Sequence, residues 1–349
     1  MDRVSRVREA FGENFDVPRG YLDTAAIGVP FARAADTLVD AVHMWRAGSM
    51  QVGDFDDDIA VARNAWAQLV GACQSDVATG TSVSQLVGLV ASSVPDGTKV
   101  LTVRNEFTSV TFPFVAQQHR GVTVTESTFP DLIPQVCEHD LVAISAVQSA
   151  DGTVMDLDEL HVAAGEAGAL VLVDVSQAAG WLPLQLDWAH FVVGAGYKWL
   201  LTPRGAAWMA LHPDVLSGVV PQVANWSGAQ DMWSSLYGLP LRLSDEARRL
   251  DASPVWFAQR GAAVSLSWVA GLDLTAVRKH CVELADATLV GLGRQPQRSA
   301  IISLDLPAHT ADRLVHAGAT VSTRAGRTRL SFHLYNTMDD VDLVLKALR

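Results

Sequence analysis

ALVLVDVSQAAGWLPLQLDWAHFVVGAGYKWLL, residues 169–201, holds two short apolar runs separated by a turn-rich spacer. The first, ALVLVDV, is apolar at successive rather than alternate positions, so it reads as a strand buried on both faces. FVVGA, 191–195, reads the same way. Each run leads into residues able to do chemistry: Asp174 and Gln177 after the first, Lys198 after the second. Working outward, KVLTV (99–103), LVAISAV (141–147) and AAWMAL (206–211) repeat the pattern, with helical stretches between them. This alternation predicts an α/β fold with a mostly parallel sheet covered on both faces. Ligands in such a sheet bind beyond the carboxyl ends of the strands, where Asp174, Lys198 and the Thr81–Ser82 segment all fall.

Residues 31–47 and 54–72 read as amphipathic helices, the second carrying Ile59, Ala62, Trp66, Leu69 and Val70 at helical spacing behind Asp56 to Asp58. Beyond residue 250, longer helical stretches such as 274–291 and a strand pair around IISLDL and TRLSFHL predict a smaller α+β domain, joined by an N-terminal helix. The division expected is a large domain over 21–250 and a small one from 1–20 and 251–349.

With 349 residues, 49% of them hydrophobic, the chain is long enough for two domains. A net charge of −12 with scattered lysines and arginines argues against a nucleic-acid or anionic-membrane surface and for a small-molecule partner. Cys73, Cys137 and Cys281 are far apart and form no C-x-x-C pair, which points away from disulfides and zinc and toward a reducing cytoplasm. The opening MDRVSRVREAFGENF lacks the apolar core of a signal peptide, and no apolar run approaches membrane-spanning length. There is no H-E-x-x-H and no G-x-S-x-G, so zinc and serine hydrolysis have no support.

Several residues carry two readings each. Lys198 sits among apolar residues and glycines, where an ammonium is costly unless neutralised; the plainer reading is a stem packed on apolar surface with its head in water. Asp174 at a strand end could hold a pyridine nitrogen protonated, or simply cap the next helix. Gln177 could donate to a phenolic oxygen. VATGTSVSQLVGLV, 77–90, places Thr81 and Ser82 ahead of a helix, as an anion site or as an ordinary cap. Phe107 could cover a ring face or fill the core. Arg329 could clamp a carboxylate bidentately or lie on an edge strand.

Taken together, YLDTAAIGVP (21–30), DVSQ (174–177), GAGYKWLLTPRG (194–205) and RLSFHLYNT (329–337) resemble the class V aminotransferase family, in the right order and through nearly the whole chain. The resemblance implies the aspartate-aminotransferase-like fold and pyridoxal 5'-phosphate as cofactor. Lys198 then matches the Schiff-base lysine, Asp174 the partner of the pyridine nitrogen and Gln177 that of the phenolic oxygen. Arg329 matches the arginine that grips the substrate carboxylate. Phe107 falls where kynureninases stack a phenylalanine, Thr81 and Ser82 fall in the phosphate loop, and Tyr197 precedes the lysine as in kynureninase-like members. Ser253 matches the turn that reaches the phosphate from the second subunit of a homodimer. Ala195 and the pair Gln148-Ser149 depart from common family residues near the phosphate and ring. VSTRAGRTRLS has no loop cysteine, which disfavours cysteine desulfurase chemistry.

Within the family, YKWLLTPRG, RLSDEARRLDASPVW, NEFTSVTFPF and AVQSADG most resemble the hercynylcysteine sulfoxide lyases of ergothioneine biosynthesis. That resemblance implies a C–S lyase acting on an amino-acid-derived substrate by β-elimination. Lys198 would take the Cα proton, a sulfur group would leave from Cβ, and the released aminoacrylate would decay to pyruvate and ammonia. The trimethylammonium of such a substrate suits aromatic faces. Trp226, Trp233 and Tyr237 are candidates for them, or plain core and interface aromatics. The rivals are transamination, kynurenine-like Cβ–Cγ cleavage, and a cofactor-free binding protein that kept the fold.

Overall fold

The computed structural model describes residues 7–349. Residues 1–6, part of the expected small domain and of the stretch read as lacking a signal peptide, lie outside it. An antiparallel hairpin, β1 (Arg8–Ala10) and β2 (Glu13–Phe15), stands where a helix was expected. The reason is local: Phe11 and Gly12 have φ of 50° and 83°, the two-residue turn that closes hairpins and ends helices.

Seven strands form the main sheet: β3 (Val77–Gly80), β4 (Lys99–Val103), β5 (Thr123–Ser127), β6 (Leu141–Ser145), β7 (Leu170–Asp174), β8 (Phe191–Ala195) and β9 (Ala207–Leu211). Their order is β3-β9-β8-β7-β6-β4-β5. The pairings from β8 across to β5 are parallel, while β9 runs antiparallel to both β8 and β3. The mostly parallel sheet is thus as expected, with β3 and β5 added. A second sheet, β10 (Ile301–Leu304), β11 (Ser322–Arg324) and β12 (Arg327–Ser331), is antiparallel in the order β10-β12-β11; it contains the expected strand pair and one strand more.

Val171 and Val173 of β7 join one apolar cluster and Leu172 another, because alternate residues of a strand face opposite sides of the sheet. The first cluster gathers Trp66, Trp181, Trp199 and Trp208 and runs on into Ala258, Leu266 and Ile301. A third packs Leu22 with Leu284, Ile302, Leu314 and Phe332 around the small sheet. The helices expected near the start form over Ala32–Arg46 and Asp56–Val70. Helix Trp256–Ala270 packs on the latter, with Arg260 paired to Asp58 at 2.7 Å and Trp256 stacked on Phe55 at 5.4 Å.

What positions the site is the segment after residue 20. Tyr21 and Asp23 bridge to Thr320 and Ser331 of the small-sheet region, and five residues later Gly28 donates its N–H to the Tyr197 carbonyl at 2.9 Å. One short stretch therefore ties the small sheet to the turn that carries Lys198. No helix of the described residues is long and apolar enough to cross a membrane.

Candidate active site

β7 ends at Asp174 because its carboxylate Oδ1 accepts the N–H of Ser176 at 2.8 Å, turning the chain out of the sheet. The side chain is buried, and that burial raises its pKa above the usual carboxylate value; Ser176 and Lys198 oppose the rise. One strand along, β8 runs into Gly196, where a Cβ would meet Thr202 Oγ1 at 2.3 Å, so only glycine lets the turn close this tightly. The turn delivers Lys198, 6% exposed, into the same cavity of about 300 Å3 that Asp174 lines. Its Nζ lies 5.3 Å from the Phe107 ring centroid and 5.6 Å from that of Tyr197. Burial pulls the amine pKa down to about 8; Asp174 opposes this, while Arg329, Arg324 and Arg204 add to it.

Thr81, Ser82, Phe107, Gln177 and Tyr197 line this cavity too, so the structure brings most of the expected residues together. Helix Val83–Ser93 begins at its edge with Ser82 as the cap, accepting from Gln85 N at 3.3 Å. The positive end of that helix suits a phosphate. Thr81 N donates to Gln85 Oε1 at 2.8 Å, an internal acceptor standing where an anion's oxygen would serve.

Gln177 departs from its expected role. Its amide nitrogen already donates to the Ala25 carbonyl at 3.0 Å and to Ser149 Oγ at 3.1 Å, and its oxygen accepts from Trp199 Nε1 at 2.8 Å. Both amide protons are committed, so in this arrangement Gln177 shapes the wall and offers no N–H to a ring oxygen.

Arg329, on β12, is 1% exposed. Nη1 donates to the Ser149 carbonyl at 2.7 Å and to Ser149 Oγ at 3.0 Å. Nε and Nη2 have no hydrogen-bond partner among the described residues; Asp23 Oδ1, 3.6 Å from Nη2, is near enough only for charge balance. Burial lowers the guanidinium pKa to about 10. Nε and Nη2, parallel donors without a hydrogen bond, form the fork that a carboxylate fits; Arg329 itself does not line the cavity and meets it through Ser149, which does.

Glu106 was not anticipated. Its buried carboxylate accepts from Phe107 N at 2.7 Å, Ser145 Oγ at 2.6 Å, and Ser145 N and Gln148 Nε2 each at 2.8 Å. It thereby joins the turns after β4 and β6 behind the cavity. A carboxylate directly before Phe107 was the available signal. Arg204 also lines the cavity, its guanidinium 5.3 Å over the Tyr197 ring.

Other expected residues fall elsewhere. Trp226 lines a separate cavity of about 420 Å3 beside Arg63 and Asp251, with Trp233 against it at 5.8 Å. Tyr237 is 89% exposed. None of the three lines the cavity of Lys198, which corrects the expectation of an aromatic substrate box there within one chain. Ser253 is exposed and does not line its own chain's cavity. Among the described residues no group of three or more His, Cys, Asp or Glu could hold a metal ion. Cys73 and Cys137 are at the surface, Cys281 is buried in the apolar core, and none borders the cavity.

These features fit pyridoxal phosphate: a buried, easily deprotonated amine, a carboxylate sharing its cavity, an aromatic face and a helix start. Comparison with known proteins agrees. Residues 40–310 match the family described as aminotransferase class-V. An uncharacterized aminotransferase, YcbU of Bacillus subtilis (strain 168), is 27% identical over 340 residues, covering 91% of this chain and 89% of its own. The isopenicillin N epimerase of Streptomyces clavuligerus is 29% identical over 336 residues, covering 82% and 83%. A solved complex of the cystine C–S lyase C-DES with cysteine persulfide superimposes with a TM-score of 0.83 at 18% identity, covering 95% and 97% of the two chains, which shows the same fold. The chain belongs to the class V aminotransferase family, whose members are pyridoxal-phosphate-dependent enzymes.

Proposed function

We propose that this enzyme is a C–S lyase that performs β-elimination on a cysteine-derived amino acid. The observation that carries the reading is Arg329, whose Nε and Nη2 have no hydrogen-bond partner among the described residues and which stands directly behind the wall of the cavity that Lys198 and Asp174 share, bonded through Nη1 to the lining residue Ser149. Such a fork suits an α-carboxylate and orients the rest of the amino acid. Bound pyridoxal phosphate supplies an electron sink for the pair left when the Cα proton departs. The helix start at Ser82 and Val83 would hold the phosphate, and Phe107 would cover one ring face.

Lys198 Nζ would hold the cofactor and, as a free amine, would take the Cα proton. A pKa near 8 keeps a useful share of it neutral at physiological pH. Asp174 would hold a proton at the ring nitrogen, since a lone charge is costly in its buried site and a cation beside it offsets that cost. With no cysteine bordering the cavity, the chain has no nucleophile to carry sulfur away as a persulfide, so the leaving sulfur group departs into solvent.

Hercynylcysteine sulfoxide is the narrowest form of the proposal and rests on motif resemblance. The same reading makes the working unit a cytoplasmic homodimer, in which the exposed Ser253 serves the phosphate of the second subunit's site. Pyruvate release measured across cysteine, cysteine S-conjugates and hercynylcysteine sulfoxide tests it. Amino transfer to a 2-oxo acid without pyruvate would replace the lyase reading with transamination.

A further inference from the structure

A second cavity, of about 260 Å3, adjoins the catalytic one, and Tyr197 and Arg204 line both. Its other walls include Ile27 and Pro30 of the N-terminal segment, Leu38 of helix Ala32–Arg46, and Leu201 and Pro203 of the turn after Lys198. Arg204 is the one charged residue among its lining. One wall is closely packed: a Cβ on Gly261 would meet Pro203 Cδ at 2.6 Å and Leu38 Cδ1 at 3.3 Å. Leu201 is held at φ 57°, a left-handed conformation that its Cβ disfavours. Such strain persists where surrounding packing dictates the conformation.

The partition between the cavities is thin. Arg204 lies over the Tyr197 ring at 5.3 Å, and Lys198 Nζ lies 5.6 Å from that ring's centroid. A substituent on the substrate's Cβ, close to Lys198, therefore reaches apolar space by passing one aromatic ring and one exposed arginine. We propose that this side pocket receives the distal part of the substrate, and that the substrate class is amino acids whose β-substituent carries an apolar body. The inference rests on the amino-acid reading above and deepens it, without depending on elimination as the outcome.

Each methylene buried in such a pocket strengthens binding about fourfold. The test uses amino acids without a leaving group, so that binding is read apart from turnover: L-alanine and L-norleucine, titrated into the cofactor-loaded enzyme by absorbance. Wild type should bind norleucine more than tenfold tighter than alanine. Ile27→Trp, at a half-exposed position able to fill the pocket, should cut that ratio at least fivefold while alanine affinity holds. Leu38→Ala, which enlarges the pocket, should move the preference toward longer chains and stands in should Ile27→Trp fold poorly. A wild-type ratio near one, or a ratio that neither variant moves, overturns the proposal. Failure of the lyase reading shows separately, as no pyruvate from any conjugate while the norleucine preference persists.

Discussion

The α-carbon of Gly28 lies so close to the carbonyl oxygen of Lys198 that a Cβ on residue 28 would come within 1.9 Å of it. That contact, with the hydrogen bond from Gly28 N to the Tyr197 carbonyl, seats the N-terminal segment on the turn that aims Lys198. Gly28→Ala should cost about 1–3 kcal/mol of stability, as overpacking does, and weaken cofactor retention. Gly165→Ala, in helix Leu157–Ala167 where an added Cβ meets nothing within 4 Å, should be neutral or stabilising. Thermal melts of the two variants check the contrast.

The depressed amine of Lys198 gives cofactor loading a pH signature. Below a pKa of about 8 the ammonium cannot attack an aldehyde, so the loading rate of apoenzyme should climb with pH and level off above about 8. An ordinary lysine would keep gaining to beyond pH 10. Because Asp174 holds the amine pKa up against burial, Asp174→Asn should move the inflection to lower pH. Stopped-flow absorbance at stepped pH reads both; an unshifted inflection in the variant would disconnect the two residues.

Arg329→Lys removes the planar fork while keeping a charge. Each charge-assisted bond contributes about 1.5 kcal/mol or more, so kcat/KM should fall about a hundredfold. The spectrum of bound cofactor should be unchanged. Steady-state kinetics beside an absorbance scan separate this outcome from general misfolding.

Glu106 is a structural hub that the sequence did not announce. Glu106→Ala would strand buried donors from Phe107, Ser145 and Gln148 and should cost about 3 kcal/mol or more in urea melts. Glu106→Gln keeps the shape and two donors' worth of acceptor, so its loss should be smaller.

The contrast between Lys198 and Glu106 explains what was legible. Asp174 ends, and Lys198 follows, a strand that is apolar on both faces, and in a parallel sheet the strand's end is the site, so position along the chain predicts position in space. Glu106, Ser149 and Arg204 act through contacts between strands and turns distant in sequence; the position of Glu106 before Phe107 marks it as near the site but does not encode its bonds to Ser145 and Gln148. β3 is hard to see in the sequence because VATG is four residues long and runs directly into the start of helix Val83–Ser93. β5, TVTES, is an edge strand whose mostly polar and exposed residues give no apolar run. The Trp226–Tyr237 cluster misled because composition reports that aromatics are near one another but not which cavity they face.

The most direct test of the account is borohydride reduction of the cofactor-loaded enzyme, followed by digestion and peptide mass spectrometry. The account predicts one phosphopyridoxyl group fixed on the peptide carrying Lys198, and none in Lys198→Ala. Label on another lysine, or no stable label in wild type, would contradict it.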